Sequence, residues 1–313
     1  TGSAGFIGSY LCKSLIIDGY DVLGIDNLYD IDSNQIKENR LKKLKETYAF
    51  NFKKIDICNI YELNNVFIDY KPDKVIHLAA RAGVRTSSKY YNYYIDSNIS
   101  GFTNVIDLSY KHNISGFIYA SSSSVYGGNE KLPFSINDKT NNPLSLYAAT
   151  KISNELIANS YNKMYDLNIT GLRFFNVYGP MGRPDMAYYI FTDRIYNNQS
   201  VDLYDSGRME RDLTYIDDAI NGIRFSINKN YNCEIFNLGS NNSISMYKLV
   251  EIIEVILNKK AKINFCKSRA SEIQKTLSDI EKTKNMLEYK PTVDVVCGMK
   301  KFIEWYCISC KNT

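Results

Sequence analysis

Buried-strand patterns alternate with helix-length segments over the first half of the chain. Continuous apolar runs occur at residues 75–80, 116–120 and 169–175, and longer segments at residues 98–112 and 145–165 separate them. Continuous apolar runs are typical of parallel strands that are covered on both faces. Parallel neighbours need crossover connections, which are usually helices. The alternation therefore predicts an α/β fold with a doubly wound parallel sheet.

Near its start the chain carries three evenly spaced glycines, Gly2, Gly5 and Gly8, which open a helix-like segment at residues 9–18. Glycines at such a turn let backbone N–H groups and the helix N-terminus approach a pyrophosphate. The next strand-like segment ends on Asp26. A carboxylate at that position accepts ribose hydroxyls and repels a 2′-phosphate, so the pattern favours NAD over NADP.

Two further expectations concern the same region. Asp56 and Ile57 follow another short strand and are candidates for flanking the adenine. A glycine turn of this kind follows a strand in such folds, yet nothing precedes Thr1 in the sequence. We therefore expect an N-terminal truncation that removes the first strand of the sheet.

Charge and hydropathy exclude two classes of partner. Lys and Arg number 38 against 34 Asp and Glu, and no block concentrates positive charge, so no nucleic-acid partner is expected. The basic segment at residues 37–45 is interpreted as a solvated helix face. The sequence contains no apolar run long enough to span a membrane and no signal segment, so no membrane partner is expected.

Cysteine and histidine usage argues against disulfide and metal chemistry. The seven scattered cysteines, an odd number, favour free thiols in a reducing cytoplasm. Cys307 and Cys310 have C-x-x-C spacing, but no second ligand pair accompanies them. With two histidines in the chain, His77 and His112, we assign neither a metal site nor a His-based triad. His77 is interpreted as a core histidine that follows its strand.

Tyr147 and Lys151 stand four residues apart in a helix-length segment, so their side chains project from one helix face. A free phenol has a pKa of about 10, and a general base at neutral pH needs that value lowered by roughly three units. We expect the Lys151 ammonium, together with the positive ring of an oxidised nicotinamide, to lower the pKa of Tyr147 in this way. The spacing alone is not decisive in a chain with 26 tyrosines.

A run of four serines, residues 121–124, ends the strand predicted at residues 116–120. Ligands of parallel sheets bind at the carboxyl ends of the strands. A serine hydroxyl placed there can meet the same substrate oxygen as Tyr147.

Sequence motifs spread over nearly the whole chain resemble those of one known family. They lie at residues 1–8, 24–28, 77–85, 119–127, 145–151, 171–180, 182–186 and 211–218. In these segments the chain resembles the extended short-chain dehydrogenase/reductase family. Within that family it is most similar to the nucleotide-sugar 4-epimerases, and among these to the UDP-glucuronate 4-epimerases.

The resemblance implies roles for individual residues. Ser122 takes the catalytic Ser/Thr position, with Ser123 as the fallback. Tyr147 is the base, and Lys151 is its partner, which also holds the nicotinamide ribose. Asn98 is expected to brace the backbone near the cofactor. The full set of implied NAD-binding residues is Gly2, Gly5, Phe6, Ile7, Gly8, Asp26, Asn27, Asp56, Ile57, Leu78, Ala79, Ala80, Asn98, Tyr147 and Lys151.

The resemblance also implies contacts with a UDP-sugar. Arg211 and Arg269 are candidates for the diphosphate, because a guanidinium suits phosphate oxygens, and Glu272 for a uridine ribose hydroxyl. Arg85 and Arg183 lie in segments that resemble the sugar pocket of the glucuronate enzymes. The implied substrate contacts are completed by Ser122, Ser123 and Asn176.

The reaction implied by the resemblance is epimerisation of UDP-glucuronate to UDP-galacturonate. Tyr147 takes the proton of the 4-hydroxyl, the C4 hydride passes to NAD, and the resulting 4-keto sugar turns over before the hydride returns to its opposite face. NAD is regenerated in each cycle and acts as a retained cofactor.

Three alternatives stay open. Asn176 stands where the glucuronate epimerases usually carry threonine, which leaves a UDP-glucose/UDP-galactose 4-epimerase as the main one. A UDP-glucuronate decarboxylase is weaker, because Ser123 and Ser124 occupy positions where such relatives carry acidic residues. A non-catalytic NAD-binding regulator is weaker too, because the implied catalytic residues are all present.

The rhythm of the chain changes near residue 179, where short strands begin to mix with helices. We interpret residues 1–178 as an NAD-binding Rossmann domain and residues 179–313 as a smaller nucleotide-sugar-binding region, interleaved with the sheet. By resemblance we expect a cytoplasmic homodimer, formed through the helices at residues 98–112 and 145–165, that acts in polysaccharide biosynthesis.

Overall fold

The computed structural model describes residues 1–29, 34–83, 90–267 and 273–311. The helices are α1 Phe6–Ile17, α2 Asn34–Tyr48, α3 Ile60–Tyr70, α4 Tyr91–Ile95, α5 Phe102–Lys111, α6 Leu146–Tyr165, α7 Ala187–Tyr196, α8 Ile216–Ile227, α9 Met246–Leu257, α10 Glu281–Leu287 and α11 Val295–Lys311. The strands are β1 Leu23–Asp26, β2 Asn51–Lys54, β3 Lys74–His77, β4 Gly116–Ser122, β5 Ile169–Phe174, β6 Asn176–Tyr178, β7 Ser200–Tyr204, β8 Glu210–Tyr215, β9 Cys233–Leu238, β10 Ser243–Ser245 and β11 Lys262–Cys266. None of the helices in these ranges is long and apolar enough to cross a membrane.

Parallel strands form the centre of the molecule. One sheet has the order β3-β4-β5-β9 and the other pairs β1 with β2, and every neighbouring pair in both is parallel. Thr1 and Gly2 lie between the two sheets. Gly2 N donates to Ile25 O at 2.8 Å, and Thr1 N donates to Ile76 O at 2.8 Å. These bonds join the strand that ends at Asp26 to β3.

Helices cover both faces of the four-stranded sheet. Along β4 the side chain of Ile118 packs into a core shared with α1 and α8, whereas Phe117 and Tyr119 pack into a second core shared with α3, α5 and α6. Side chains alternate between the faces of a strand, so strands buried on both faces read as the continuous apolar runs seen in the sequence. The prediction of a doubly wound α/β fold is confirmed.

Three boundaries differ from the sequence predictions. The strand predicted to end at residue 80 ends at His77, and the next residue directs its N–H to Thr1 O at 3.2 Å instead of to β4. The helix predicted from residue 98 belongs to a helical segment that starts at Tyr91 and passes through a π-helix, Asp96–Gly101, because the fully buried Tyr94 adds an apolar contact one turn earlier. The helix predicted from residue 9 begins at Phe6.

The second half of the chain adds smaller sheets beside the central one. β8 pairs in parallel with β6 and antiparallel with β10, and β7 pairs with β11. The chain also returns to the central sheet, where β9 lies beside β5, and α8 packs against α1. Because the chain returns to the central sheet in this way, the loop after β6 lies next to the turn that precedes α1.

Candidate active site

The glycine turn and the first turn of α1 have no room for a side chain at Gly2 or at Gly8. Gly2 has a φ of +74°, and a Cβ there would lie 2.6 Å from Ala79 N. A Cβ on Gly8 would lie 2.0 Å from Gly2 O. Residues 78–80, which leave β3 early, therefore pass directly beside the turn. α1 starts without a side-chain cap or an acidic residue in its first turn, so its N-terminus suits an anion such as a pyrophosphate.

Asp26, at the end of β1, is buried and already holds several donors. Its carboxylate accepts from Ala4 N at 3.1 Å, from Leu28 N at 2.8 Å and from Lys37 Nζ at 3.2 Å. The backbone bonds fix the carboxylate beside the glycine turn, where it can accept further hydroxyls. The contact between Lys37 and Asp26 is not predicted by the sequence pattern.

Asn27 and Asp56 form the next layer of this pocket. Asn27 Nδ2 donates to Asp56 Oδ2 at 2.8 Å, and Cys58 N donates to Asp56 Oδ1 at 2.9 Å. Desolvation raises the pKa of Asp56, but these hydrogen bonds outweigh it and hold the value below the usual range. Ile57 is buried under the π-helix, where its side chain fills the space beside Gly101.

Asn98 braces the backbone at the carboxyl end of the sheet. Its side chain accepts from Arg81 N at 2.7 Å and donates to Arg81 O at 3.0 Å and to Thr150 Oγ1 at 3.0 Å. The residue is fully buried on the π-helix. Asn98 thus connects the segment after β3 to α6.

α6 places Tyr147 in its first turn and Lys151 one turn later. The helix starts at a capping residue, Ser145, whose hydroxyl accepts from Ala148 N at 3.1 Å. Lys151 is buried and its Nζ donates to Ala120 O at 2.8 Å. Burial lowers the pKa of Lys151 to about 8, although the carboxylate of Glu155 opposes this shift.

The electrostatic surroundings of Tyr147 differ from the sequence prediction. Burial raises the pKa of Tyr147, and a hydrogen bond with Ser122 and the charge of Arg183 reduce that rise without cancelling it. The Lys151 ammonium points to the end of β4 and does not offset the burial. The joint effect of Lys151 and an oxidised nicotinamide on the pKa of Tyr147 stays a prediction. Tyr147 also packs edge-on against Tyr94, with ring centroids 6.3 Å apart.

The serine run begins within β4, which extends two residues beyond its predicted end at residue 120. Ser122 is the last residue of that strand, and Ser123 begins a 3₁₀ turn, Ser123–Tyr126. Ser122 Oγ donates to Ser124 Oγ at 3.1 Å and accepts from Ser124 N at 3.2 Å. Ser122 is thus held by the turn and lies against Tyr147.

Two of the predicted sugar contacts lie after β5. Asn176 starts β6 and is half-buried. Arg183 lies in the following loop, where Nε and Nη2 donate to the Asp185 carboxylate at 3.0 and 2.6 Å. Burial lowers the pKa of Arg183, but the Asp185 carboxylate outweighs it and raises the value overall. The charge of Arg183 also reduces the rise in the pKa of Tyr147.

A sequence model of the NAD dependent epimerase/dehydratase family matches residues 1–239. The chain belongs to this family.

Relatives match it along almost their whole length. The protein CapI of Staphylococcus aureus is 43% identical over 325 residues, covering 98% of this chain and 97% of its own. The UDP-glucuronate 4-epimerase of Thermodesulfobacterium geofontis is 40% identical over 306 residues, covering 97% of this chain and 94% of its own. Among solved structures, the UDP-glucuronic acid 4-epimerase of Bacillus cereus in complex with UDP-glucuronic acid and NAD is 33% identical, covers 98% of both chains and has a TM-score of 0.92.

Of the remaining predicted substrate residues in this member of the epimerase/dehydratase family, the structure describes Arg211 alone. Arg211 lies on β8, and its Nη1 donates to Glu210 O at 2.8 Å and to Gln274 O at 3.4 Å. Arg85, Arg269 and Glu272 lie outside the described residues. His77 lies in the core, as expected: it packs against Phe102 and Phe117, and burial lowers its pKa well below the usual value.

Sequence reasoning missed a buried polar network beneath Lys151. Arg173 Nε and Nη2 donate to the two carboxylate oxygens of Glu155 at 2.9 and 2.8 Å. Ser121 Oγ donates to the same carboxylate at 2.6 Å, and Arg173 Nη1 donates to Tyr126 Oη at 3.0 Å. A signal was present, because Glu155 follows Lys151 by four residues and so lies on the helix face of Tyr147.

The interpretation of residues 37–45 as a solvated helix face is wrong at two positions. Lys42, Lys43 and Lys45 are exposed, but Lys37 is half-buried against Asp26 and Arg40 is buried. α2 is strongly polar overall, so its sequence does not reveal which of its charges face inward.

Proposed function

We propose that this chain is a UDP-sugar 4-epimerase, an isomerase that converts UDP-glucuronate to UDP-galacturonate through a transient 4-keto sugar. One observation carries the proposal: Lys151 Nζ bonds Ala120 O near the carboxyl end of β4, so the first turn of α6, with Tyr147, lies beside Ser122 at the end of that strand. The glycine turn and Asp26 lie at the same edge of the central sheet. The relatives named as UDP-glucuronate 4-epimerases support the same reaction.

The residues present fit NAD. The cramped glycine turn and the uncapped N-terminus of α1 suit its pyrophosphate, and Asp26 suits the adenosine ribose. Asn27, Asp56, Ile57 and residues 78–80 would surround the adenine side, and Lys151 would hold the nicotinamide ribose. When bound, oxidised NAD supplies a hydride acceptor for C4 and a positive charge beside the phenol.

Tyr147 is the acid–base group of the proposal. Its phenolate takes the proton of the sugar 4-hydroxyl and returns it after the keto sugar has turned over. Ser122 hydrogen-bonds the phenol and aligns the substrate oxygen with it. In the protein alone the phenol stays protonated at neutral pH, because burial raises its pKa. Added positive charge is what makes it a base.

Arg183 is the residue that we assign to the C6 carboxylate of the sugar. Its guanidinium already binds one carboxylate, that of Asp185, through two nitrogens, which is the geometry that a sugar carboxylate needs. The charge of Arg183 also acts on the pKa of Tyr147, which supports a position near the reacting end of the sugar. We assign Arg211, Arg269 and Glu272 to the UDP moiety, and Arg85, Ser123 and Asn176 to the sugar.

A UDP-glucose/UDP-galactose 4-epimerase is the second candidate, and Asn176 favours it. A solved UDP-glucose 4-epimerase from Thermotoga maritima, with UDP-glucose, is 28% identical, with a TM-score of 0.90 and 99% of this chain covered. The two candidates share the chemistry at C4 and differ at the pocket for C6.

The test is incubation with UDP-glucuronate or with UDP-glucose, without added NAD, with the products resolved by proton NMR. The proposal predicts UDP-galacturonate from the first and little conversion of the second. In the Arg183→Ala variant the preference for the charged sugar falls. Conversion of UDP-glucose alone would move the assignment to the second candidate, and release of carbon dioxide would indicate a decarboxylase.

We also propose a homodimer through α5 and α6. Several large apolar side chains of these helices are exposed: Tyr110, Leu156, Met164 and Tyr165. Tyr110 and Tyr165 stack on each other with ring centroids 4.0 Å apart, which joins the two helices into one surface. We keep the division into residues 1–178 for NAD and 179–313 for the nucleotide sugar, a cytoplasmic location and a role in polysaccharide biosynthesis as parts of the proposal.

A further inference from the structure

Arg40 is a buried guanidinium on an otherwise polar surface helix. It is 4% exposed, while its basic neighbours Lys42 and Lys43 are exposed. The guanidinium lies over the ring of Phe6, the first residue of α1, at 5.9 Å from its centroid. A buried guanidinium needs several hydrogen-bond acceptors to compensate for its lost hydration. The acceptors of Arg40 therefore indicate which parts of the fold it stabilises.

The partners of Arg40 are carbonyls from two separate loops. Nη1 donates to Ala4 O, in the glycine turn, at 3.3 Å. Nε and Nη2 donate to Met181 O at 3.0 and 2.6 Å, and Nη2 also reaches Gly182 O at 3.4 Å. One planar group therefore bonds both the turn proposed for the pyrophosphate and the loop that carries Arg183.

The second loop is held in one particular conformation. Met181 has a φ of +58°, in the left-handed region that non-glycine residues rarely adopt. Tyr10, on α1, donates from Oη to Pro180 O at 3.0 Å, which ties the same loop to the same helix. A strained loop keeps its shape only when its surroundings fix it, and Arg40 supplies three hydrogen bonds to this loop.

We infer that Arg40 is a positioning residue that locks the loop carrying Arg183 to the glycine turn, so that the sugar carboxylate and the cofactor keep one relative placement. The inference rests on the proposed function. A lysine cannot replace this group, because a single ammonium lacks the fork of donors that spans both loops.

The test compares Arg40→Lys with Lys43→Met, a change of an exposed lysine on the same helix. Misplacement of a substrate by about 1 Å can cost roughly a hundred-fold in rate. We therefore expect kcat/KM of Arg40→Lys for UDP-glucuronate to fall about a hundred-fold, and that for UDP-glucose to fall much less. A residue that only stabilises the fold would lower both equally. Tyr10→Phe removes the hydrogen bond from Tyr10 to Pro180 O. We expect it to shift the ratio of kcat/KM for UDP-glucuronate to that for UDP-glucose in the same direction.

NAD affinity is the second readout, measured by equilibrium dialysis on cofactor-stripped protein. We expect Arg40→Lys to bind NAD about tenfold more weakly than Lys43→Met does. If the unmodified protein converts neither sugar, the proposed function is wrong, and this comparison still decides the inference. An unchanged substrate ratio, or equal NAD affinity in a folded Arg40→Lys, would overturn it.

Discussion

Tyr147 is a phenol whose burial works against its proposed role. Desolvation raises its pKa, while Ser122 and Arg183 shift it the other way. We expect Tyr147→Phe to lower kcat by about a hundred- to ten-thousand-fold, the range typical of a lost general base. NAD affinity changes little, since the ring stays. Tyr61→Phe, at an exposed position, is the control and keeps full activity. Activity of Tyr147→Phe within tenfold of the unmodified protein would assign the base to another residue.

Lys151 makes the stability of the cofactor-free protein depend on pH. Burial lowers its pKa from 10.5 in the unfolded chain to about 8 in the fold. Between these two values the unfolded chain binds more protons, so the contribution of Lys151 to the free energy of unfolding increases with pH. Urea unfolding at several pH values between about 8 and 10 measures this slope. In Lys151→Met the free energy of unfolding should no longer gain this contribution as the pH rises. An identical dependence on pH in both proteins would contradict the lowered pKa of Lys151.

At the scale of elements, β4, β5 and α6 are joined by a buried ion pair. Glu155 and Arg173 are 7% and 4% exposed, and they bond through two nitrogens and two oxygens. Removal of one member of such a pair leaves the other charge buried without compensation. We expect Glu155→Gln to reduce the free energy of unfolding by about 3–5 kcal/mol, measured by urea denaturation.

The control for that prediction is an exposed pair on another helix. Lys42 and Glu46 lie 3.8 Å apart, with side chains 72% and 63% exposed. Glu46→Gln should change the free energy of unfolding by less than about 0.5 kcal/mol. If the two variants lose similar stability, the pair beneath Lys151 is not the joint between these elements.

The same elements show what could be predicted from the sequence. β4 and β5 are long and apolar because both of their faces are covered, so they were found with their edges nearly right. β2 reads Asn-Phe-Lys-Lys and, in the part of the chain that the structure describes, pairs with β1 alone, so its sequence carries no such run. Asp26 and Ser122 are the last residues of β1 and β4, and their position at the carboxyl ends of strands could be predicted because each closes a strand-like run. Arg40 was not found, because its partners are backbone carbonyls 36 to 142 residues away.

At the scale of the whole molecule, the apolar surface of α5 and α6 predicts self-association. Leu156, 65% exposed on α6, lies at the face that we assign to the homodimer. A charge there should convert the dimer into a monomer, because burying it without a partner is costly. Analytical ultracentrifugation of Leu156→Glu measures this, and Ile17→Glu, at an equally exposed site on α1, is the control. A monomeric unmodified protein, or a Leu156→Glu variant that stays dimeric, would refute this interface.

In the proposed reaction one hydride leaves C4 of UDP-glucuronate and returns to the same carbon from the opposite face. The most direct test is the reaction in D2O without added NAD, followed by proton and deuterium NMR of the product. Because the hydride that leaves and returns does not exchange with solvent, we expect UDP-galacturonate with protium retained at C4. Deuterium at C4 would contradict this, since C4 would then have been inverted by exchange of a proton with water.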